Sequence, residues 1–178
     1  MTAVCVGRGP SLRPDDLSYC QGKAFVIAIN QVVPWADMLY AADWEWWISH
    51  PEAHTFTHSK YACEVRNRRP FNTAGLPALT VLKNLGHLGW SDEPSAVYSG
   101  GHSGYQAIQV AAHCGATRIL LLGYDMHPSG PKPHRFTRWR DTYPVLAEAA
   151  KTRGIEIINC SRQTALTVFP CMTIIEAL

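Results

Sequence analysis

The residue pattern predicts an α/β fold: one domain across residues 1–178, with a mostly parallel sheet flanked by helices. Three observations carry this. Largely apolar segments that read as strands recur at residues 4–6, 24–29, 37–42, 118–122 and 155–158. They are near-continuous rather than alternating, as in strands covered on both faces. Helical stretches separate them in the second half, at residues 103–114 and 138–153, each followed by a glycine (Gly115 and Gly154) suited to ending a helix. Strand and helix in alternation give parallel strands joined by right-handed crossovers, a Rossmann-like arrangement.

The elements follow in order. Residues 4–6 end a first strand, which stops at Gly7-Arg8-Gly9-Pro10-Ser11-Leu12. Residues 24–29, rich in Val and Ile, form a second strand ending at Asn30-Gln31. Residues 37–42 form a third, running into Asp43, a residue type that caps helices, ahead of a short aromatic helix over 44–48. Residues 60–65 read as a further strand, 73–85 as a helix despite Gly75 and Pro77, and 91–95 as a polar turn. The helix at 103–114 carries small residues at Ala107, Ala111 and Ala112, suited to close packing on a sheet. Residues 118–122 are the clearest buried strand and end at Gly123-Tyr124-Asp125. Pro128, Gly130, Pro131 and Pro133 then impose an irregular loop.

Composition narrows the function classes. Sixteen Lys and Arg against 14 Asp and Glu give a formal charge of +2, so general nucleic-acid binding is not expected. No window holds about 18 unbroken apolar residues, so no membrane span is expected. The start, Met1 to Val6, lacks the basic and long apolar stretches of a signal peptide, and a cytoplasmic location is the expectation. The six cysteines form no CxxC pair and read as reduced, mostly buried thiols. His50, His54 and His58 recur every fourth residue, but Pro51 argues against the single helix a metal stripe would need, so no metal is expected.

In parallel sheets ligands bind beyond the carboxyl ends of the strands. Polar clusters fall at such ends here: Gly7 to Ser11, Asn30-Gln31, Asp43 and Tyr124-Asp125. The glycines permit close backbone approach to a ligand, Ser11 adds a hydroxyl, and Arg8 suits a phosphate. The segment lacks the full dinucleotide fingerprint, because Pro10-Ser11-Leu12 replaces its remainder. Gly100-Gly101-His102-Ser103-Gly104 opens a helix, where free amides and the dipole suit an anion and where Ser103 alone would serve as N-cap. In the proline-rich loop His134, with His127 as its rival nearer Asp125, suits proton transfer at neutral pH.

Together these clusters resemble the small bacterial sialyltransferases that use CMP-sialic acid. That family opens with Gly-Asn-Gly-Pro-Ser-Leu, against Gly7-Arg8-Gly9-Pro10-Ser11-Leu12 here. Its second strand ends Cys-Asn-Gln, against Ile29-Asn30-Gln31. Its Ser-Gly helix and Gly-Ile-Asp-Phe strand end resemble Ser103-Gly104 and Gly123-Tyr124-Asp125-Met126. Its Cys-Pro-Asn-Ser-Leu-Leu resembles Ser161-Arg162-Gln163-Thr164-Ala165-Leu166. A wider group with these motifs includes flagellin-modification and pterin pyrophosphokinase-like proteins. Arg8 stands where the family has asparagine, and the loop after Asp125 is shorter than the family's lid.

The resemblance implies a metal-independent glycosyltransferase whose substrate is a nucleotide sugar, a CMP-sugar foremost, with no cofactor. Gly7, Arg8, Gly9, Pro10, Ser11, Asn30, Asp43, Ser103 and Gly104 would then hold the nucleotide. Asp125 and Ser161 would line its ribose and base, and His134 or His127 would be general base toward a hydroxyl acceptor. Gly9→Val is expected to abolish binding and spare the fold. Two other expectations stand beside this one. The first is a non-catalytic nucleotide or sugar-phosphate binding module. The second is a magnesium-dependent phosphoryl or pyrophosphoryl transferase in which Asp43 and Asp125 converge.

Overall fold

The computed structural model describes residues 1–64, 78–128 and 133–178. Their strands form an eight-stranded, all-parallel sheet with helices on both faces. The strands are β1 (Thr2–Val6), β2 (Phe25–Ile29), β3 (Met38–Tyr40), β4 (Ser59–Cys63), β5 (Leu79–Gly86), β6 (Ala96–Tyr98), β7 (Arg118–Leu122) and β8 (Glu156–Asn159), in the order β6-β5-β4-β3-β2-β1-β7-β8. The helices are α1 (Pro14–Cys20), α2 (Trp44–Ser49), α3 (Ser103–His113), α4 (His134–Arg140), α5 (Tyr143–Thr152) and α6 (Ile174–Ala177), with a 3-10 turn at Pro51–Thr55.

Side chains alternate across a strand, so register decides which of them share a face. Cys5 lies opposite Ile27 and Leu121, whereas Val4 lies opposite Val26 and Leu120. The first row packs under α3 and α5 with Ala107, Ile108, Tyr143 and Leu146; the second packs under α1, α2 and α6 with Cys20, Trp47 and Ile174. Both faces are covered, which is why the central strands are apolar beyond their first residues.

Helix α3 crosses the sheet against β1, β2, β6 and β7. Ala107 and Ala111 admit this close approach, and the Cys5 thiol reaches the Ala107 carbonyl at 3.7 Å. Its buried Gln109 is satisfied by β6 and the turn before it: the side-chain oxygen accepts from the Ser91 and Tyr98 amides, and the side-chain amide donates to the Tyr98 carbonyl. Two ion pairs tie outlying segments down, Arg162 to the buried Asp16 of α1 at 2.6 Å and Arg153 to Asp92 at 2.6 Å.

Several expectations are corrected. Residues 79–85 are not helical but belong to β5, between β4 and β6; the 65–77 part of the predicted strand and helix lies outside the described residues. Thr80 and Val81 suit a strand, and pairing on both sides overrides the local helical pattern. The single helix predicted over 138–153 is two, α4 and α5, broken at Asp141-Thr142. Pro144 has no amide proton, and its ring would clash with the Arg140 carbonyl in a continuous helix. His134 starts α4 rather than sitting in a loop, and residues 129–132 of that loop lie outside the described residues. Helix α1, absent from the expectations, is marked by Pro14 at its first position with Asp15 and Asp16 in its first turn. Asp43 stands at the N-cap of α2 without a side-chain capping bond.

The six cysteines are free thiols; Cys5, Cys20, Cys63 and Cys160 are buried, while Cys114 and Cys171 are exposed. Among the described residues no helix is long and apolar enough to cross a membrane.

Candidate functional site

The sheet order places β1 between β2 and β7. The chain leaves β1 toward β2 on one side and reaches β7 on the other only after β6 and α3. A cleft opens where successive crossovers diverge, beyond the carboxyl ends of these strands. A cavity of about 410 Å³ lies there, within the range of small-molecule sites. Three chain segments meet around it: Gly7 to Pro10 after β1, His102 to Gly104 at the start of α3, and Gly123 to His127 after β7. Ile29 and Asn30 close one side, and Phe136 and Trp139 of α4 form an aromatic wall. Those rings pack edge to face, 5.2 Å between centroids.

The loops after β1 and β7 are bound to each other before any ligand arrives. Gly7 and Gly9 donate their amides to the carbonyls of Leu122 and Gly123, at 2.7 and 2.8 Å. The buried Asp125 carboxylate accepts from both the amide and the hydroxyl of Ser11, each at 2.7 Å. A Cβ on Gly9 would strike that carboxylate and the Gly123 carbonyl, so glycine is required here for packing. The expectation that Gly9→Val spares the fold is therefore corrected. Gly7, Gly9 and Ser11 do not offer free amides to a phosphate; their donors are spent on β7 and its loop. Ser161 supports from behind, its hydroxyl accepting the Tyr124 amide at 2.7 Å, and it does not line the cavity.

At the start of α3 the N-cap is His102, not Ser103. The His102 Nδ1 accepts from the Gly104 amide at 3.2 Å. An Nδ1 that accepts carries no proton, so the neutral ring carries it on Nε2. The ring lies against Trp139 and Tyr143, 5.0 and 5.5 Å between centroids. Burial pushes its pKa down from 6.5 to about 3. His102 as a residue is partly buried, and its Nε2 is covered and has no partner among the described residues, a state shared by the neighbouring Tyr143 hydroxyl. Ser103 turns to the sheet: its hydroxyl accepts the Ala42 amide at 3.2 Å and donates to Asn30 Oδ1 at 3.3 Å. Asn30 adopts φ +53°, a left-handed conformation that asparagine tolerates better than most residues. Its carbonyl is fixed by the Trp46 indole.

A second cavity, of about 440 Å³, adjoins the first and shares Asn30, His102, Ser103 and Trp139 with it. Asp43 lines this one, with His87, Arg135 and Arg138. Asp125 lines the first. Among the described residues no group of three or more His, Cys, Asp or Glu is placed to hold a metal ion. His50, His54 and His58 are dispersed: His50 stacks on Trp46, His54 bonds the Trp47 carbonyl, and His58 lies beside Phe56.

The chain matches no family model, no curated protein and no solved structure.

Of the residues expected from the sequence, the first cavity gathers Gly7, Arg8, Gly9, Pro10, Asn30, Ser103, Gly104, Asp125 and His127. Asp43 falls in the second, and His134 lines neither. His102 and Tyr124, members of two of the clusters marked in the sequence, line the first cavity as well, whereas Phe136 and Trp139 were not legible as site residues. Phe136 and Trp139 carry one signal, two aromatics three residues apart on an otherwise basic helix.

Proposed function

We propose that the first cavity takes a nucleotide-activated sugar, a CMP-sugar foremost, and that the protein transfers the sugar to a hydroxyl acceptor without a metal. The observation that carries this reading is the cavity at the β1/β7 divergence, with an aromatic wall on one side and Arg8 and His127 on its lining. An aromatic wall suits a base or sugar face. Arg8 makes no ion pair with any described residue, which leaves its guanidinium for a phosphate. His127 lines the cavity and His134 does not, so His127 is the base in this proposal.

In the reaction, the acceptor oxygen attacks the anomeric carbon and its proton passes to the His127 imidazole. The bond from that carbon to the donor phosphate breaks, and the phosphate leaves with the electron pair. Arg8 balances its charge. Proton removal of this kind contributes about 10²- to 10⁴-fold.

A second reading, binding without chemistry, is favoured by one observation. The amides of Gly7, Gly9, Ser11 and Gly104 are all engaged within the protein, which leaves few donors for a leaving phosphate.

The test measures donor binding and transfer, or donor hydrolysis, across pH for the parent and for His127→Ala and His134→Ala. Under the first reading His127→Ala lowers turnover about 10²- to 10⁴-fold with donor affinity little changed, and His134→Ala does neither. Tight binding without turnover in the parent selects the second reading. Absence of any nucleotide binding overturns both.

A further inference from the structure

We propose that the second cavity is the subsite of a second substrate, the acceptor, and that this molecule carries an oxyanion group, a phosphate or a carboxylate, held by Arg135 and Arg138. The proposal rests on the reading of the first cavity as the donor site and names the chemical class of acceptor.

Contiguity is the first ground. The two cavities share a wall of Asn30, His102, Ser103 and Trp139, so a molecule in the second abuts a ligand in the first, as two reacting substrates must.

Charge is the second. Arg135 and Arg138 are three residues apart on α4 and therefore lie on one side of it. Three other arginines hold carboxylates, Arg118 with Glu156, Arg153 with Asp92, and Arg162 with Asp16, whereas Arg8, Arg13 and Arg140 hold none among the described residues. Arg135 and Arg138 pair with no carboxylate among the described residues, although both line the cavity. Asp43 is the sole carboxylate of that lining among the described residues, against two guanidiniums. The lobe thus has an excess of positive charge. A guanidinium fork matches the oxygens of a phosphate or carboxylate two at a time.

The third ground is what α4 otherwise does. It buries none of its residues, so packing into the core does not account for its sequence. Phe136 lines the first cavity, Arg135 and Arg138 the second, and Trp139 both.

The experiment uses the full chain saturated with CMP, then titrated calorimetrically with inorganic phosphate in one arm and acetate in the other. At least one binds, and the tighter of the two names the acceptor's charged group. The Arg135→Gln/Arg138→Gln double variant weakens that binding at least tenfold, and each single variant gives an intermediate loss. Arg140→Gln, which removes a charge from the same helix outside the cavity lining, leaves it within twofold. Equal affinity in the double variant and the parent overturns the proposal, as does binding of neither oxyanion. Displacement of phosphate by CMP also overturns it, because the anion site would then belong to the donor. If CMP does not bind but free protein still loses phosphate or acetate affinity in the double variant, the oxyanion subsite stands and the donor reading falls.

Discussion

Asp125 shows how one side chain can look like a ligand contact and act first as a joint. From the sequence it is a polar residue at a strand end; in the fold its two oxygens take the amide and hydroxyl of Ser11. Asp125→Ala strands two donors at a buried position, and a buried donor left unpaired costs about 1–3 kcal/mol. A loss of about 2–6 kcal/mol in urea unfolding is expected, on that range for two donors. Gly9→Val reaches the same joint from the other side, because its side chain would displace the carboxylate. It is expected to lower the urea midpoint too, so loss of ligand binding in that variant would say nothing about contact. An unchanged midpoint in both variants would refute the joint.

The start of α3 depends on His102, and so does a part of the acid sensitivity. Its pKa falls from 6.5 to about 3 on burial. The neutral ring is tolerated in both states above pH 6.5. Below that the unfolded chain takes up a proton that the folded ring resists, so stability is lost progressively as pH falls from about 6.5 toward 3. His102→Asn keeps an acceptor for the Gly104 amide, since asparagine is a good N-cap, and removes the titration. Unfolding free energies at pH 7 and pH 4.5 should differ less in the variant than in the parent; an equal difference would remove His102 from the acid response. The break between α4 and α5 is an element-scale device of another kind. Pro144 ends one helix register and begins another, which frees α4 to turn both its aromatics and its arginines toward the cleft.

For the molecule as a whole, the divergence of crossovers between β1 and β7 matters most. It creates the cleft, and a ligand seated there touches loops from distant parts of the chain. Such a ligand binds the folded state alone, so it stabilises by mass action, about 2.7 kcal/mol at a hundredfold excess over Kd. CMP is expected to raise Tm in a concentration-dependent manner, and a chelator to leave that shift unchanged. A shift abolished by chelator and restored by magnesium would instead favour phosphoryl transfer, with Asp43 and Asp125 as the carboxylates to test.

By itself the sequence determined the central strands and the loops that follow them. Residues 4–6, 24–29 and 119–122 are apolar throughout because both faces of the sheet are covered, and that pattern is local enough to see. It also marked Gly7 to Ser11, Asn30 and Asp125 as strand-end residues, since a strand must stop where polarity and glycine begin. Tertiary structure alone decided the rest. Leu79–Gly86 became a strand because β4 and β6 pair with it, and Ala96–Tyr98 is too short to show any period. The glycine amides after β1 look free until β7, more than 100 residues on, supplies their acceptors. His102 and Trp139, 37 residues apart, meet only when α4 folds over the start of α3. Periodicity records which face a residue turns to the core; which donors are already spent depends on partners far along the chain, and local pattern carries no trace of them.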